Sequence, residues 1–361
     1  MTTDPGQVIS TAQAIRDALA EDGRADPSVM LFAEGVRDPN GFWGTLANLE
    51  QVFGRDRMIE MPVAENGLVG IAIGAAMAGK RPVISLQRVE FALLALEQLA
   101  NNAAKGHYAS NGLHKVPLVV RLVVGRGWGQ GPAHSQSLET MFAMFPGFKV
   151  IMPTHPADAK GMLAAAVRDD NPVIVIEHRW CHYVEGHVPD GDYEAPIDGP
   201  KVVQPGSDVT IVGSSYMTLE AERAGKVLAE QGVSAEVIDL RVIRPLNMDL
   251  IRESVAKTGR LVVVDTGFKM LGIGAEIVSQ LVESGIAFAA PPARLGLPDH
   301  PTPSSRGLIG DYYPDAQRIV EAVGGVVGLD AGKVDAAKKA IEVARGDLPV
   351  DVPDQYFKGP F

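Results

Sequence analysis

Residues 148–178 read FKVIMPTHPADAKGMLAAAVRDDNPVIVIEH, and their pattern decides the fold. FKVIMP and PVIVIEH are short apolar runs with little polar alternation, as expected of strands covered on both faces. Between them PADAKGMLAAAVRDD carries helical periodicity. Strand, helix and strand in that order make a parallel α/β unit. The alternation continues outward in both directions. VMLFAEGV, RMIEM, RPVISL and VPLVVRLVV read as further strands, and NGLVGIAIGAAMAG, ALLALEQLANNAAKGHYA and SLETMFAMF as helices. Downstream, DVTIVGSS, SAEVIDLR, RLVVVD and ARLGL read as a second set of strands, with helices near 217–231, 248–258, 273–284 and 332–346.

Between Glu185 and Ser207 the composition shifts to Gly, Pro and Asp, which reads as a linker. The expected fold class is therefore α/β, with two parallel-type three-layer domains over residues 1–185 and 208–330. A linker over 186–207 joins them, and an extra helix and irregular tail occupy 331–361. No internal repeat or low-complexity segment is present.

A chain of 361 residues suits two such cores, and its net charge of −11 with few Lys/Arg clusters argues against nucleic acid and anionic membranes as partners. The single cysteine, Cys181, cannot close an internal disulfide and fits a reducing cytoplasm. The N-terminal MTTDPGQVIS lacks the features of a signal peptide. The longest apolar run, Gly67 to Gly79, is shorter than the ~18 residues that span a bilayer, so a buried helix of a soluble protein is expected there.

Several motifs compete for function. A dinucleotide fingerprint needs three glycines in register after a strand. GRGWGQG (125–131) lacks the third, and LGIGAE has Ile277 in its place, so both read as turn chemistry; no P-loop is present. EHRWCHYVEGH gathers His178, Cys181, His182 and His187, but without CxxC or a shared helix face a polar strand-end loop explains them better than zinc. In GPAHSQS (131–137), His134 follows a glycine-rich loop at a strand's C-terminal end, ahead of a helix expected near Ser137. Ligands bind at such places in parallel sheets, although taken alone the motif reads better as a helix-capping serine with an incidental histidine.

VAENGLVGIAIGAAMAG (63–79) is the most demanding stretch. Gly67, Gly70 and Gly74 each cost a helix ~1 kcal/mol relative to Ala, so something is expected to come close to that face. Glu65 sits at the helix mouth, where the dipole favours its charge while burial among Met61, Val63 and Leu68 opposes it. It reads either as an N-terminal charge or as a sheltered acid that shares a proton with a bound heterocycle.

PVAENGLVGIAIGAAMAGKRPV, LEQLANNAAKGHYAS, GPAHSQS, PGFKVIMPTHPADAKGMLAAAVRDDNPVIVIE and SAEVIDLRVIRPLNMDLI together resemble the β subunit of the thiamine-diphosphate-dependent decarboxylating component of 2-oxo acid dehydrogenases, of pyruvate, branched-chain and acetoin type. The resemblance runs from about residue 8 to 325. It implies a transketolase-like pyrimidine-binding domain followed by a transketolase C-terminal domain. It makes Glu65 the acid on the aminopyrimidine N1′ of thiamine diphosphate, Phe91 the aromatic packed on that ring, and Glu34 an acid near the cofactor. His134 becomes the channel histidine that assists acyl transfer to lipoyl. Leu118, Ala166, Val167, Asp169 and Asn171 fall where the family holds a structural potassium. Three features depart from the family pattern: Gly35 replaces an acid, Arg88-Val89 replaces the usual pair before the aromatic, and about 35 residues follow IVEAV.

The chain has no GDG motif, so the resemblance implies that the diphosphate and its Mg²⁺ are held by a separate α subunit. Expected partners are that α subunit, a second copy of this chain in an α2β2 assembly, and a lipoyl acyltransferase or carrier protein. The expected activity is decarboxylation of a 2-oxo acid. Alternatives are a split transketolase-like enzyme passing a two-carbon unit to a sugar or carrier protein, and a non-catalytic structural subunit.

Overall fold

The computed structural model describes residues 6–36, 43–125, 130–310, 312–349, 352–353 and 357. Most of the GRGWGQG loop and most of the C-terminal tail lie outside the described residues. The chain divides into two compact units, one built from residues 1–124 and 141–197, the other from 125–140 and 198–360.

The first unit opens with β1 (Gly6–Ser10) and α1 (Thr11–Ala25), a helix that hydrophobic periodicity alone left unassigned. Ser10 and Gln13 cap it reciprocally, Ser10 Oγ accepting the Gln13 N–H and Gln13 Oε1 accepting the Ser10 N–H. There follow β2 (Val29–Ala33), α2 (Glu50–Phe53), β3 (Met58–Glu60), α3 (Glu65–Met77) and β4 (Arg81–Leu86). The stretch expected as one helix over 92–109 is instead a 3-10 turn (Phe91–Ala95), a π turn (Gln98–Ala103) and the short α4 (Ala104–Ala109). Then come β5 (Val119–Val124), α5 (Glu139–Ala143), β6 (Lys149–Ile151), α6 (Pro156–Arg168), β7 (Val173–His178) and β8 (Glu185–Pro189).

Within this unit the strands run parallel in the order β6-β7-β5-β4-β2-β3. Every residue of β5 and of β7 is buried, which explains the lack of polar alternation along them. Helices α1 and α6 pack together. Arg168 from α6 joins Asp22 of α1 at 2.7 Å, and burial pushes the Asp22 carboxyl up to about 6 in spite of that partner. β8 pairs antiparallel with β1, so the stretch expected as a linker begins with an ordered strand.

The second unit holds β9 (Lys201–Gln204), β10 (Val209–Gly213), α7 (Tyr216–Glu230), β11 (Ala235–Asp239), β12 (Val242–Arg244), α8 (Asp249–Thr258), β13 (Leu261–Phe268), α9 (Ile273–Glu283), β14 (Ala293–Leu297), α10 (Ala316–Val327) and α11 (Ala331–Arg345). Its sheet has the order β14-β13-β10-β11-β9, parallel except for β9 at one edge. β9 also falls within the expected linker. Helix α11 packs on α10 and α7, so it belongs to this unit's own layer of helices. Among the described residues no helix is long and apolar enough to cross a membrane.

Candidate active site

Parallel sheets present ligand-binding loops at the C-terminal ends of their strands. In the first unit, Glu34 directly follows β2 and Arg88 lies two residues beyond β4, while α3 presents Glu65 at its first turn. Glu65 is only 4% exposed although Val63, two residues before it, is 79% exposed. Val63 therefore does not shelter the acid as expected, whereas Leu68 is buried. Glu65 is the only acid in the first turn of α3 and lies at the positive end of the helix dipole.

The turn after β2 is fixed by Glu60 of β3, whose two carboxylate oxygens accept the N–H groups of Gly35 at 2.7 Å and Val36 at 2.9 Å. Gly35 has φ +72°, a conformation a side chain resists and glycine adopts readily. Glu34, held on that turn, has a buried Oε1 without a hydrogen-bond partner. Burial pushes its carboxyl above the usual range, and the neighbouring Glu65 and Glu60 add to this. Phe91 opens the 3-10 turn that packs against α3, and Asn66, the next residue after Glu65, donates to Leu94 O of that turn at 3.3 Å. Glu34, Glu65 and Phe91 are thus brought together around the start of α3.

His134 lies on the segment that groups with the second unit, in a turn where its N–H reaches Gly131 O at 3.4 Å. The helix after it starts at Glu139, two residues later than expected, and has 5 residues. The potassium candidates gather at the α6–β7 turn and the start of β5. Leu118 O accepts the Val173 N–H at 2.8 Å and Ala166 O the Asp169 N–H at 3.3 Å. Val167 O and Asp169 O accept from Arg81 Nη1 at 3.1 and 3.0 Å. Asp169 Oδ1 accepts from Asn171 N at 2.9 Å and Nδ2 at 3.2 Å, and its other oxygen meets Lys149. Each carbonyl keeps a second lone pair, and two of them already face the positive Arg81.

The histidine-rich segment offers no metal centre among the described residues: His182 bonds Glu177, His178 Nδ1 accepts the Trp180 N–H, and Cys181 is buried. Glu177 is instead one end of an internal ion pair that the apolar strand patterns did not reveal. Arg121, buried in mid-strand, donates from Nε to Glu177 Oε1 at 2.6 Å and from Nη2 to Oε2 at 2.9 Å. Ser85 and Thr45 accept two more of its N–H groups at 3.1 and 2.9 Å. Burial alone would raise the Glu177 carboxyl, but Arg121 and His182 outweigh it and bring it down to about 2. The available signal was a lone arginine in the middle of VPLVVRLVV.

Arg88 is buried, and its guanidinium lies 5.8 Å from the Trp43 ring centre. Arg179 lies 5.7 Å from the same ring. Burial, followed by the charge of Arg88, brings the Arg179 guanidinium down to about 10. Arg88 thus sets a second cation beside Arg179 at the Trp43 ring.

Comparison with known proteins agrees with this architecture. Residues 7–181 match the transketolase pyrimidine-binding domain and residues 200–319 the transketolase C-terminal domain. The β subunit of the acetoin:2,6-dichlorophenolindophenol oxidoreductase of Cupriavidus necator is 36% identical over 324 residues, 87% of this chain and 96% of that one. The mitochondrial pyruvate dehydrogenase E1 component subunit beta-1 of Oryza sativa subsp. japonica is 38% identical over 319 residues, covering 87% of this chain and 85% of that one. A solved split-gene transketolase, described as an inactive beta4 tetramer, superposes with a TM-score of 0.73 at 24% identity, covering 89% of this chain and 99% of that one. Fold and domain pair therefore define a transketolase-like protein. The chain belongs to the family of β subunits of thiamine-diphosphate-dependent 2-oxo acid dehydrogenases, of the pyruvate and acetoin type.

Proposed function

We propose that this chain is the β half of a thiamine-diphosphate enzyme that decarboxylates a 2-oxo acid and passes the remaining unit to lipoyl or another acceptor. The observation that carries this reading is the sheltered Glu65 at the mouth of α3, beside a Glu34 whose Oε1 is buried without a partner. Such a donor set fits an aminopyrimidine ring, which offers a basic ring nitrogen to Glu65 and a flat face to Phe91. Thiamine diphosphate, when bound, supplies the electron sink for cleavage of the carbon–carbon bond. Glu65 holds a proton at the pyrimidine N1′, Phe91 packs on the ring, and Glu34 closes the polar side of the pocket. His134 serves the acceptor step. A structural potassium on Leu118, Ala166, Val167, Asp169 and Asn171, sharing two carbonyls with Arg81, belongs to the same reading.

The diphosphate and Mg²⁺ fall to a separate α-type chain, since this sequence has no GDG motif. Calorimetry tests the division. The chain alone, with excess Mg²⁺, is expected to show no micromolar binding of thiamine diphosphate. One hydrogen bond and one stacked ring contribute ~2–4 kcal/mol, less than most of the ~4–15 kcal/mol that association costs. Micromolar binding by this chain alone would mean that it carries a complete site.

Assembly follows from α3. Leu68, Val69, Ala72, Ile73 and Ala76 pack inward. The opposite face carries Gly67, Gly74, Ile71 and Met77, with Ile71 55% and Met77 53% exposed. The helix expected to be buried is therefore buried on one face only within a single chain. A Cβ added at Gly67 or Gly74 would meet nothing within 4 Å, so the close neighbour that these glycines anticipate belongs to another chain. Gly74→Leu is expected to stabilise the isolated chain slightly, by up to ~1 kcal/mol through helix propensity, while blocking assembly. Sedimentation velocity beside a thermal melt reads both effects, and unchanged assembly would remove this face from the interface.

For His134, substitution by Ala in the reconstituted enzyme is expected to depress transfer to a lipoyl acceptor by about tenfold or more. Oxidation of the substrate with an artificial dye should change little. Equal losses in both assays would assign His134 to an earlier step, and no loss would leave it a helix-start residue.

A further inference from the structure

We propose that Glu139 is a positioning residue for His134, its protonated carboxyl donating to Asp265 and clasping the His134-bearing segment to the end of β13. The inference rests on the acceptor-step role assigned above to His134. Residues 125–140 group with the second unit although the chain on either side of them belongs to the first. Something must hold that excursion in place, and Glu139 is its only acid. It is 1% exposed, and Asp265 in β13 is 2% exposed.

The two carboxyls differ in their donors. Asp265 Oδ1 accepts the Gly267 N–H at 3.0 Å and Oδ2 the Ile273 N–H at 3.0 Å, the latter at the first residue of α9, where the helix dipole also favours negative charge. Neither Glu139 oxygen accepts a hydrogen bond among the described residues. Two carboxylates facing each other in a buried site cannot both ionise. Glu139, which has only Thr266 and its own backbone nearby against the two aligned backbone N–H groups on Asp265, is the member that keeps the proton. Burial and then the charge of Asp265 push the Glu139 carboxyl well above the usual range, in keeping with that assignment.

The backbone makes room for the pair. A Cβ at Gly267 would lie 2.6 Å from Glu139 Oε1, and one at Gly272 would lie 2.6 Å from Asp265 Oδ2. Both distances are too short for any side chain, so the two glycines form a cradle for the two acids. Only four residues separate His134 from Glu139, so the clasp limits where the imidazole can go.

Three variants and one spectrum test this. Glu139→Gln keeps a donor facing Asp265 and is expected to retain transfer to the acceptor. Glu139→Ala removes the donor and is expected to lower transfer about tenfold or more, as loss of placement does, with dye-linked oxidation nearly unchanged. Gly267→Ala, which crowds the cradle, should behave like Glu139→Ala. Rescue by Gln separates a donated hydrogen bond from simple volume. Loss of transfer in Gln equal to that in Ala, or no loss in either, would overturn the proposal. Infrared difference spectroscopy of wild type against Glu139→Gln is read without any activity. A carboxylic-acid carbonyl band near neutral pH, missing from the Gln variant, is expected. Its absence from the wild type would overturn the clasp whatever reaction the enzyme performs, and its presence in an enzyme without decarboxylase activity would fault the functional reading instead.

Discussion

Glu65→Gln in the enzyme reconstituted with its α partner is expected to lose at least two orders of magnitude in turnover, within the ~10²–10⁴ that a positioned acid–base group contributes. Gln has the size of Glu and can still hydrogen-bond a ring nitrogen. It cannot hold a carboxylate's proton there, and the amide is far too weak an acid to exchange one. Rigidity makes the test clean. Glu65 opens α3, whose inner face is anchored by Leu68, Val69, Ala72 and Ile73, and its neighbour Asn66 bonds Leu94 O in the Phe91 turn. The isosteric change therefore leaves the pocket standing. Circular dichroism and thermal melting should match the wild type while dye-linked oxidation of the 2-oxo acid collapses. If the Gln variant turns over at the wild-type rate, Glu65 does not carry the proton and the site lies elsewhere.

How far the sequence leads depends on the range of the interaction that shapes each element. RPVISL was read as a strand and is one from Arg81 to Leu86, because so short a buried run with Val and Ile at its centre favours a strand over a helix. The burial of Glu65 at the start of α3 was legible for a similar reason: a lone acid beside glycines at a helix start is a local anomaly. The segment from Phe91 to Ala109 was less legible. Its hydrophobic spacing fits helix in general, and the change from 3-10 to π to α follows from where it must meet α3, which periodicity does not encode. Helix α1 had a local signal, the reciprocal capping of Ser10 and Gln13, that hydrophobic patterning passes over. Glu139 and Asp265 lie far apart in the chain and come together only through the fold, so no window of sequence contains both. Arg121 falls between these cases, anomalous in its strand but without a visible partner until β5 and β7 are in register.

That register underlies the second large effect. Arg121→Met is expected to destabilise the first unit by about 3–5 kcal/mol, the usual result of removing one member of a buried ion pair. Arg121 is fully buried, and four of its contacts are to side chains: two to Glu177, one to Ser85 and one to Thr45. Methionine fills much of the volume but leaves Glu177 in the interior with His182 as its remaining partner at 2.8 Å. The pair also ties stability to acid. Glu177 is held down at about 2, so the stability it contributes is fully present above the ordinary carboxyl range and is lost as pH falls toward that value. Urea unfolding from pH 7 down to pH 3 should therefore show the wild type losing stability on acidification. In Arg121→Met the Glu177 carboxyl has lost its main reason to stay charged, so the variant should start lower and lose less. The double variant Arg121→Met/Glu177→Leu should recover much of the loss at pH 7, since replacing both charges with apolar groups removes the stranded carboxylate. An Arg121→Met chain as stable as the wild type at pH 7 would mean that the buried pair contributes nothing to the fold.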